Sequence, residues 1–415
     1  MSMGSGLIDA AVHDAQAMRQ ADAGLLSLAL MDARNRTLGW LAAFEGLPTG
    51  LSFQGFDPPW WLAGQAAWFQ EFWVARHVQR ARGEAADPVG LRLASVEPRA
   101  DAWFSPGTSN RAQRWQQMPL SLEELQSYLA ATLETTLDLL DKAESGDQGL
   151  HVFRLALLHE DRLGETLATL VQAMSISPER CMNLVERGLW PSLPSRSRRD
   201  PLCLPGQTLM LGSPPGGGVP DAEKWAHAVQ VPEFEIDAQT VSWAQFVEFV
   251  DDGGYDDRRW WTEAGWAALA AGARRAPRYV EQMAGGVLAR RQGRLQRLPL
   301  AQALLHVSAH EAAAWCNWAG RRLPSEAEWT LAATSASARG FAWGELLEWV
   351  AGQPGPYPGG PSGPTAPNAQ EFLPGWRILR GASVWGSPRL RHPQARRFAA
   401  PERDELFVGF RSCAV

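Results

Sequence analysis

The most constraining feature of the sequence is a stretch rich in proline, serine and arginine that runs from Trp190 to Pro201. It has neither helical nor strand periodicity, and this composition is typical of an exposed linker. A chain of 415 residues is also longer than one ordinary core, since single domains commonly run to about 100–200 residues. The sequence therefore predicts two domains, residues 1–190 and 205–415, joined by a linker over 191–204.

Ahead of the linker, the chain has the pattern of long amphipathic helices. Apolar residues recur mostly at steps of three and four, which places them on one helical face. The predicted helices span residues 14–45, 60–82, 121–143 and 150–174, with one long connection over 83–120. Four long helices in this order favour a four-helix bundle, in which ligand and metal sites are built from inward-facing side chains.

Beyond the linker, glycine and proline are frequent and the regular elements are short. Residues 229–236 alternate like a strand, and residues 308–320 have the pattern of a helix. This half therefore predicts an irregular α+β fold, and the whole chain is expected to be a two-domain α+β protein.

Composition excludes several classes of function. A formal net charge of -6 with a pI near 5.8 argues against nucleic acid as a partner, because nucleic-acid-binding surfaces are usually basic. The four cysteines show no C-x-x-C spacing, so neither a zinc ribbon nor a disulfide framework is indicated. No apolar run is long enough to span a membrane, and no leader pattern opens the chain. We expect a cytoplasmic protein with no membrane partner.

The segment from Val307 to Trp329, which reads VSAHEAAAWCNWAGRRLPSEAEW, resembles the signature of formylglycine-generating-enzyme-type domains. Shorter matches follow the family order at residues 249–255, 348–349, 379–383 and 409–411. The resemblance implies a C-type-lectin-like fold over residues 205–415. Most of these residues are expected to hold the fold, since Ser325 and Glu328 are spaced as a helix capping box.

The N-terminal half resembles the DinB-type bundle that precedes this domain in the ergothioneine sulfoxide synthases and the related selenoneine synthases. The matching segments are RNRTL at 34–38, WLAGQAAWF at 61–69 and FRLALLHEDRLGET at 153–166. True formylglycine-generating enzymes carry a cysteine pair where residues 383–388 read SVWGSP. Oxidation of a sulfatase cysteine is therefore disfavoured, and the synthase branch is the better match.

In that family three histidines hold an iron(II), one on the second helix and two at i and i+4 on the fourth, so the resemblance implies Fe(II) as the cofactor. This chain keeps His159, has Leu163 and Gln65 at the other two positions, and retains Glu165. One imidazole is too few for iron(II), because leucine has no donor atom and an amide oxygen is a weak one. Two alternatives stay open, a site rebuilt with carboxylates or the loss of the iron.

Carboxylates that could rebuild the site are Glu160, Asp161 and Glu165, and His151 lies about two turns before His159. A histidine and carboxylate set suits non-haem iron. Under the other alternative, His159 and Glu165 are relics that form hydrogen bonds within the bundle.

The resemblance also implies catalytic and substrate-binding groups. Tyr357, in a Tyr-Pro-Gly turn, matches the family's catalytic tyrosine and is expected to face His159 across the cleft between the domains. Arg111 and Arg114 match the arginines that hold the carboxylates of the thiol substrate, and two guanidiniums at this spacing can clamp an acid.

Other substrate-binding positions depart from the family. Its Arg-Asn-Trp-Asp-type stretch reads Arg396-Arg397-Phe398-Ala399 here, and Arg162 replaces a glutamine. Two amides have become cations and one acid is lost, which favours a more anionic ligand than the betaine hercynine.

Three functions remain in competition. The first is iron- and oxygen-dependent formation of a carbon–sulfur or carbon–selenium bond on hercynine or a related imidazole, with a thiol or selenol donor. The second is a repurposed paralogue that binds a small anionic ligand without redox chemistry. The third, disfavoured by the missing cysteine pair, is modification of protein side chains.

Overall fold

The computed structural model describes residues 10–47, 53, 55–272, 274–360 and 375–415. The helices of the N-terminal half are α1 (Ala15–Arg19), α2 (Ala23–Ala42), α3 (Pro59–Gln70), α4 (Ala100–Phe104), α5 (Arg111–Gln116), α6 (Leu122–Asp141), α7 (Asp147–Ala173) and α8 (Pro178–Glu186). The long helices α2, α3, α6 and α7 pack side by side, with α7 against both α2 and α3. The relationship of this bundle to the DinB type remains a prediction.

The third and fourth predicted helices are confirmed as α6 and α7. Helix α6 begins where the sequence places it, because Ser121 and Glu124 form a reciprocal capping box. Helix α7 is buried along most of its length, since helices pack on one side of it and the C-terminal half covers the other.

The first and second predicted helices are wrong in their bounds. The first is interrupted between Arg19 and Ala23, where the Asp22 carboxylate accepts a hydrogen bond from the Leu25 amide and starts a new helix. The second changes to a π-helical turn at Glu71–Ala75 and ends there, short of residue 82. The predicted connection over 83–120 contains the short helices α4 and α5.

The C-terminal half combines short strands with short helices, as expected of an α+β fold. Its helices are α9 (Trp243–Asp251), α10 (Glu263–Gly272), α11 (Ala309–Trp318) and α12 (Glu326–Ser335). Its strands are β1 (Leu202–Leu204), β2 (Gln207–Leu211), β3 (His227–Val231), β4 (Phe234–Ile236), β5 (Val280–Gln282), β6 (Leu288–Arg291), β7 (Arg294–Arg297), β8 (Arg321–Arg322), β9 (Leu347–Val350), β10 (Arg377–Gly381), β11 (Arg397–Ala399), β12 (Val408–Phe410) and β13 (Cys413–Ala414).

Two four-stranded sheets have the orders β1-β4-β13-β8 and β11-β10-β9-β12, and two smaller sheets pair β2 with β3 and β5 with β6 and β7. In the second sheet β12 runs parallel to β9 and the other pairs are antiparallel. This sheet places the edge strand β11 beside the bundle.

Local predictions in this half were mostly right. The helix expected over 308–320 is α11, and capping boxes at Ser308 and Ser325 start α11 and α12. The strand expected over 229–236 is instead two strands, since Pro232 has no amide hydrogen to continue the pairing.

The predicted linker over 191–204 is exposed along residues 194–201, yet it is anchored near its start and its last three residues form β1. Leu193 is buried in the core of the bundle, and the Arg196 amide donates a hydrogen bond to the Ala301 carbonyl. The linker therefore packs along the C-terminal half. No helix among the described residues has the length and apolar character to cross a membrane.

The two halves share one interface of aromatic and ionic contacts. Trp385 stacks on Phe407 with ring centroids 4.1 Å apart, and both belong to the core cluster of the bundle. Beside them, the buried Arg389 donates two hydrogen bonds of 2.8 Å to the Asp161 carboxylate on α7 and one of 2.7 Å to Asp32 on α2. Arg389 therefore ties the C-terminal half to two helices at once.

Replacing Arg389 tests how much this interface stabilises the fold. Arg389→Met leaves the Asp161 carboxylate buried without its partner, so we expect the free energy of unfolding to fall by about 3–5 kcal/mol. Arg275→Met, which breaks an exposed pair with Asp256, should change it by less than about 1 kcal/mol. Urea unfolding measures both values, and equal effects would contradict the assigned role of Arg389.

Candidate functional site

A cavity of about 300 Å³ lies between α7 and the C-terminal half. Four of the residues predicted from the sequence meet in its wall, namely Arg162, Glu165, Arg397 and Phe398. Helix α7 supplies the first two, and the edge strand β11 supplies the others. The remaining wall consists of Phe56, Thr166, Thr169, Ala222, Leu347, Arg396, Arg403, Leu406 and Phe407.

The cavity is strongly basic. Four arginines line it, against the single carboxylate of Glu165. Arg397 forms an ion pair with one oxygen of Glu165, while the other oxygen has no hydrogen-bond partner among the described residues. Burial, together with the adjacent Arg162 guanidinium, lowers the pKa of Arg397 to about 9, so this group is still protonated at neutral pH.

Two of the arginines also hold the wall in place. Arg396 is buried, donates hydrogen bonds to the Glu326 carboxylate and the Ala222 carbonyl, and lies 3.8 Å above the ring of Tyr357. Arg403 pairs with Glu405 and lies 5.2 Å from the ring centre of Phe56. Arg397 is therefore the arginine paired with Glu165, and Arg162 lines the same wall.

His159 lies on a different face of α7 from the residues that line the basic cavity. Its ring stacks on Phe69 of α3 with centroids 3.9 Å apart, and its Nε2 forms a 2.5 Å hydrogen bond with the Gln65 amide oxygen. Burial lowers the pKa of His159 to about 3, so the ring is neutral and Nε2–H donates this bond. Glu165 follows His159 by six residues, and this spacing directs the two side chains to different faces of the helix.

Each carboxylate considered for a rebuilt metal site is already paired with an arginine. Glu160 binds Arg34 at 2.7 Å, Asp161 binds Arg389 and Glu165 binds Arg397. Leu163 packs against the apolar core of the bundle. Within the part of the chain that the structure describes, no three His, Cys, Asp or Glu side chains are grouped to hold a metal ion.

This donor set does not fit an iron(II) centre. The imidazole Nε2 is occupied by Gln65, and the nearby carboxylates face guanidinium groups instead of one another. The rebuilt site therefore stays a prediction, and a metal there would compete with the arginines that pair with Glu160, Asp161 and Glu165.

The predicted clamp of Arg111 and Arg114 is occupied by the protein itself. Both lie on α5, where Arg114 donates a 2.8 Å hydrogen bond to Asp57 and Arg111 approaches the same carboxylate at 3.7 Å. Arg114 also stacks 3.8 Å above Trp61. Neither arginine lines the basic cavity. Both guanidinium groups instead face the carboxylate of Asp57, which takes the place expected for the carboxylate of a substrate.

Tyr357 does not face His159. Its ring is buried between Arg396 and His227, whose ring centroid is 4.7 Å away, within the apolar core of the C-terminal half. Burial, together with the nearby Glu326 carboxylate, raises the pKa of its hydroxyl. Among the described residues, Arg396 links Tyr357 to the cavity, and the catalytic role of Tyr357 remains a prediction.

Sequence reasoning missed Arg403, Thr166 and Thr169. Thr166 follows Arg162 by four residues and Thr169 follows Glu165 by four residues, so all four side chains form a polar stripe on α7 that the sequence does show. Arg403 had no such signal, because it lies in a turn far along the chain.

Comparisons with known proteins agree with this architecture. Residues 189–356 match the family model of the sulfatase-modifying factor enzyme 1-like domain. Hercynine oxygenase of Mycobacterium tuberculosis is 29% identical, over 93% of this chain and 97% of that protein. Hercynine oxygenase of Mycolicibacterium thermoresistibile is 28% identical, over 93% and 94%. The formylglycine-generating enzyme of Streptomyces coelicolor is 33% identical, over 38% of this chain and 54% of that protein.

Over residues 189–356 the chain is therefore similar to the sulfatase-modifying-factor-type domains. Along most of its length it is similar to the hercynine oxygenases, which confirms the resemblance inferred from the motifs.

Acid sensitivity is predicted from the histidine behind the cavity wall. His306 packs 5.3 Å from Phe407, and burial with the nearby Arg291 and Arg278 lowers its pKa from 6.5 to about 3. The unfolded chain binds this proton near pH 6.5 and the folded chain does not, so stability is full above that pH and falls as the pH drops towards 3.

His306→Asn removes the titrating group, and asparagine tolerates the positive φ of 64° at this position. We expect the slope of unfolding free energy against pH to become shallower between pH 6 and 4, by at most about 1.4 kcal/mol per pH unit. Urea unfolding at several pH values measures the slope. An unchanged slope would mean that His306 is protonated in the folded protein.

Proposed function

We propose that the protein is a ligand-binding relative of the hercynine oxygenases, which holds a small carboxylate-bearing molecule in the cavity between its halves without iron redox chemistry. The observation that carries the proposal is the basic wall, in which Arg162 and Arg397 stand beside Glu165. Guanidinium groups in a partly enclosed cavity form strong, charge-assisted hydrogen bonds with carboxylates.

The similarity to hercynine oxygenases supports a histidine-derived ligand. Hercynine carries both a carboxylate and a trimethylammonium group, and such a cation is usually held against aromatic faces. Here the Phe56 and Phe398 rings already carry Arg403 and Arg396. The cavity therefore favours an imidazole carboxylate that lacks the quaternary ammonium over hercynine itself.

Glu165 sets the strength of this binding. Its carboxylate competes with the ligand for Arg397, so Glu165→Gln should free the guanidinium and tighten the binding of an anion roughly tenfold. The double variant Glu165→Gln/Arg397→Gln should lose this gain and bind more weakly than the wild type. Arg111→Gln, which alters the pair with Asp57 outside the cavity, is the matched control.

Isothermal titration calorimetry with urocanate, histidine and hercynine tests these expectations. Urocanate should bind most tightly, because it combines an imidazole with a carboxylate and lacks a cationic ammonium. The proposal is overturned if none of the three binds, or if Arg111→Gln weakens binding as much as the double variant does.

A second candidate is the iron(II)- and oxygen-dependent formation of a carbon–sulfur or carbon–selenium bond on hercynine or a related imidazole. Similarity over nearly the full length of the hercynine oxygenases favours it. Anaerobic incubation with iron(II), followed by oxygen, hercynine and a thiol or selenol donor, tests it by mass spectrometry. A coupled product that Tyr357→Phe reduces would establish this function and refute the first.

A further inference from the structure

A second cavity, of about 290 Å³, lies between the two halves at the other end of α7. Helix α7 contributes His151, Val152 and Leu155 to it. The nearest lining residues of the two cavities on α7, Leu155 and Arg162, are about 10 Å apart along the helix axis, at about 1.5 Å per residue. The two cavities share no lining residue. The rest of its wall consists of Trp73, His77, Arg80, Gly83, Glu84, Ala86, Pro88, Asp221, Lys224, Trp225, Gly359 and Gly360.

The charges of this second cavity cancel. Lys224 is buried, and its ammonium group lies 2.6 Å from the Glu84 carboxylate and 2.8 Å from that of Asp221. Arg80 supplies the other cation in the wall. Burial lowers the pKa of both His77 and His151, so neither ring adds a charge at neutral pH. The wall is thus formally neutral, in contrast to the arginine-lined cavity.

Two indole rings shape the space. Trp73 lies in the π-helical turn that follows α3 and Trp225 in the C-terminal half, and both line the cavity. Arg92 lies 4.9 Å from the ring centre of Trp73 and Lys224 lies 5.1 Å from that of Trp225, so each indole offers the cavity the part of its ring that these cations leave uncovered. Gly359 closes against Trp225, since a Cβ at this position would lie 2.5 Å from the indole Cδ1. Glycine also suits its φ of 102°. The backbone at Gly359 can therefore pack directly against the indole ring of Trp225, which narrows the cavity.

His151 supplies a polar group to the cavity wall. Its side chain is 6% exposed and lines the cavity, and burial lowers the pKa of its ring, which is neutral at neutral pH. A neutral imidazole carries one donor and one acceptor, and buried polar groups of this kind are normally satisfied. A ligand in the cavity can form such a hydrogen bond with the ring.

We propose that this second cavity binds a flat, uncharged nitrogen heteroaromatic ring of about purine size, against Trp73 and Trp225 and with His151 as its hydrogen-bond partner. Aromatic walls favour a flat ring, and the cancelled charges disfavour an ion. The volume is close to the lower end for ligand pockets, about 300 Å³, which limits the ligand to a small ring system. This site is independent of the function proposed for the basic cavity.

Adenine is the probe, and benzoate is its flat anionic counterpart. Calorimetry on the full chain should show saturable binding of adenine. His151→Leu removes the hydrogen bond and should weaken this binding about tenfold, whereas His151→Gln, which keeps a donor and an acceptor, should weaken it less. Trp225→Leu should weaken it as well, and circular dichroism of each variant verifies that the fold is kept.

The variants of the basic cavity separate the two sites. Glu165→Gln/Arg397→Gln should leave adenine binding unchanged, while His151→Leu should leave urocanate binding unchanged. The inference is overturned if adenine does not bind, if benzoate binds as tightly, or if His151→Leu and Trp225→Leu both bind adenine like the wild type.

Discussion

Buried pairing between arginines and the carboxylates of helix α7 is the interaction on which the rest of the structure depends. Arg34 neutralises Glu160 inside the bundle, while Arg389 and Arg397 reach from the C-terminal half to Asp161 and Glu165. A carboxylate buried without its partner is strongly destabilising. These pairs therefore fix both the packing of the bundle and the position of the second half upon it.

The same pairing determines the chemistry that the cleft supports. A cation bound beside α7 would compete with the guanidinium groups that pair with Glu160, Asp161 and Glu165. An anion meets Arg162 and Arg397 in the cavity wall, where Glu165 is the one opposing carboxylate among the described lining residues. The arginine side chains of the protein thus supply the positive charge in this cleft. The similarity to hercynine oxygenases extends along most of the chain, and the charges in this cleft support the ligand preference that we propose.

Local signals explain why much of the fold could be predicted from the sequence. The capping boxes at Ser121, Ser308 and Ser325 and the periodicity of α7 involve neighbours within a few residues, so the helices followed from the pattern. Pairs far apart in sequence leave no such pattern. Asp57 as the partner of Arg114 could therefore not be foreseen.

The candidate site was predictable in part, because the family motifs align Glu165, Arg397 and Phe398 with substrate and metal positions. The motifs did not reveal the orientation of the side chains. His159 and Glu165 leave α7 in different directions, and Tyr357 is held between Arg396 and His227. Orientation of this kind depends on packing against distant strands and helices, which single-sequence patterns do not record.

Anaerobic titration with iron(II) tests the central claim most directly, with the wild type compared to Gln65→His/Leu163→His. The double variant places histidines on α3 and one turn after His159, and so supplies three imidazole ligands. The account predicts no stoichiometric iron in the wild type and about one equivalent in the variant. One equivalent of tightly bound iron in the wild type would contradict it.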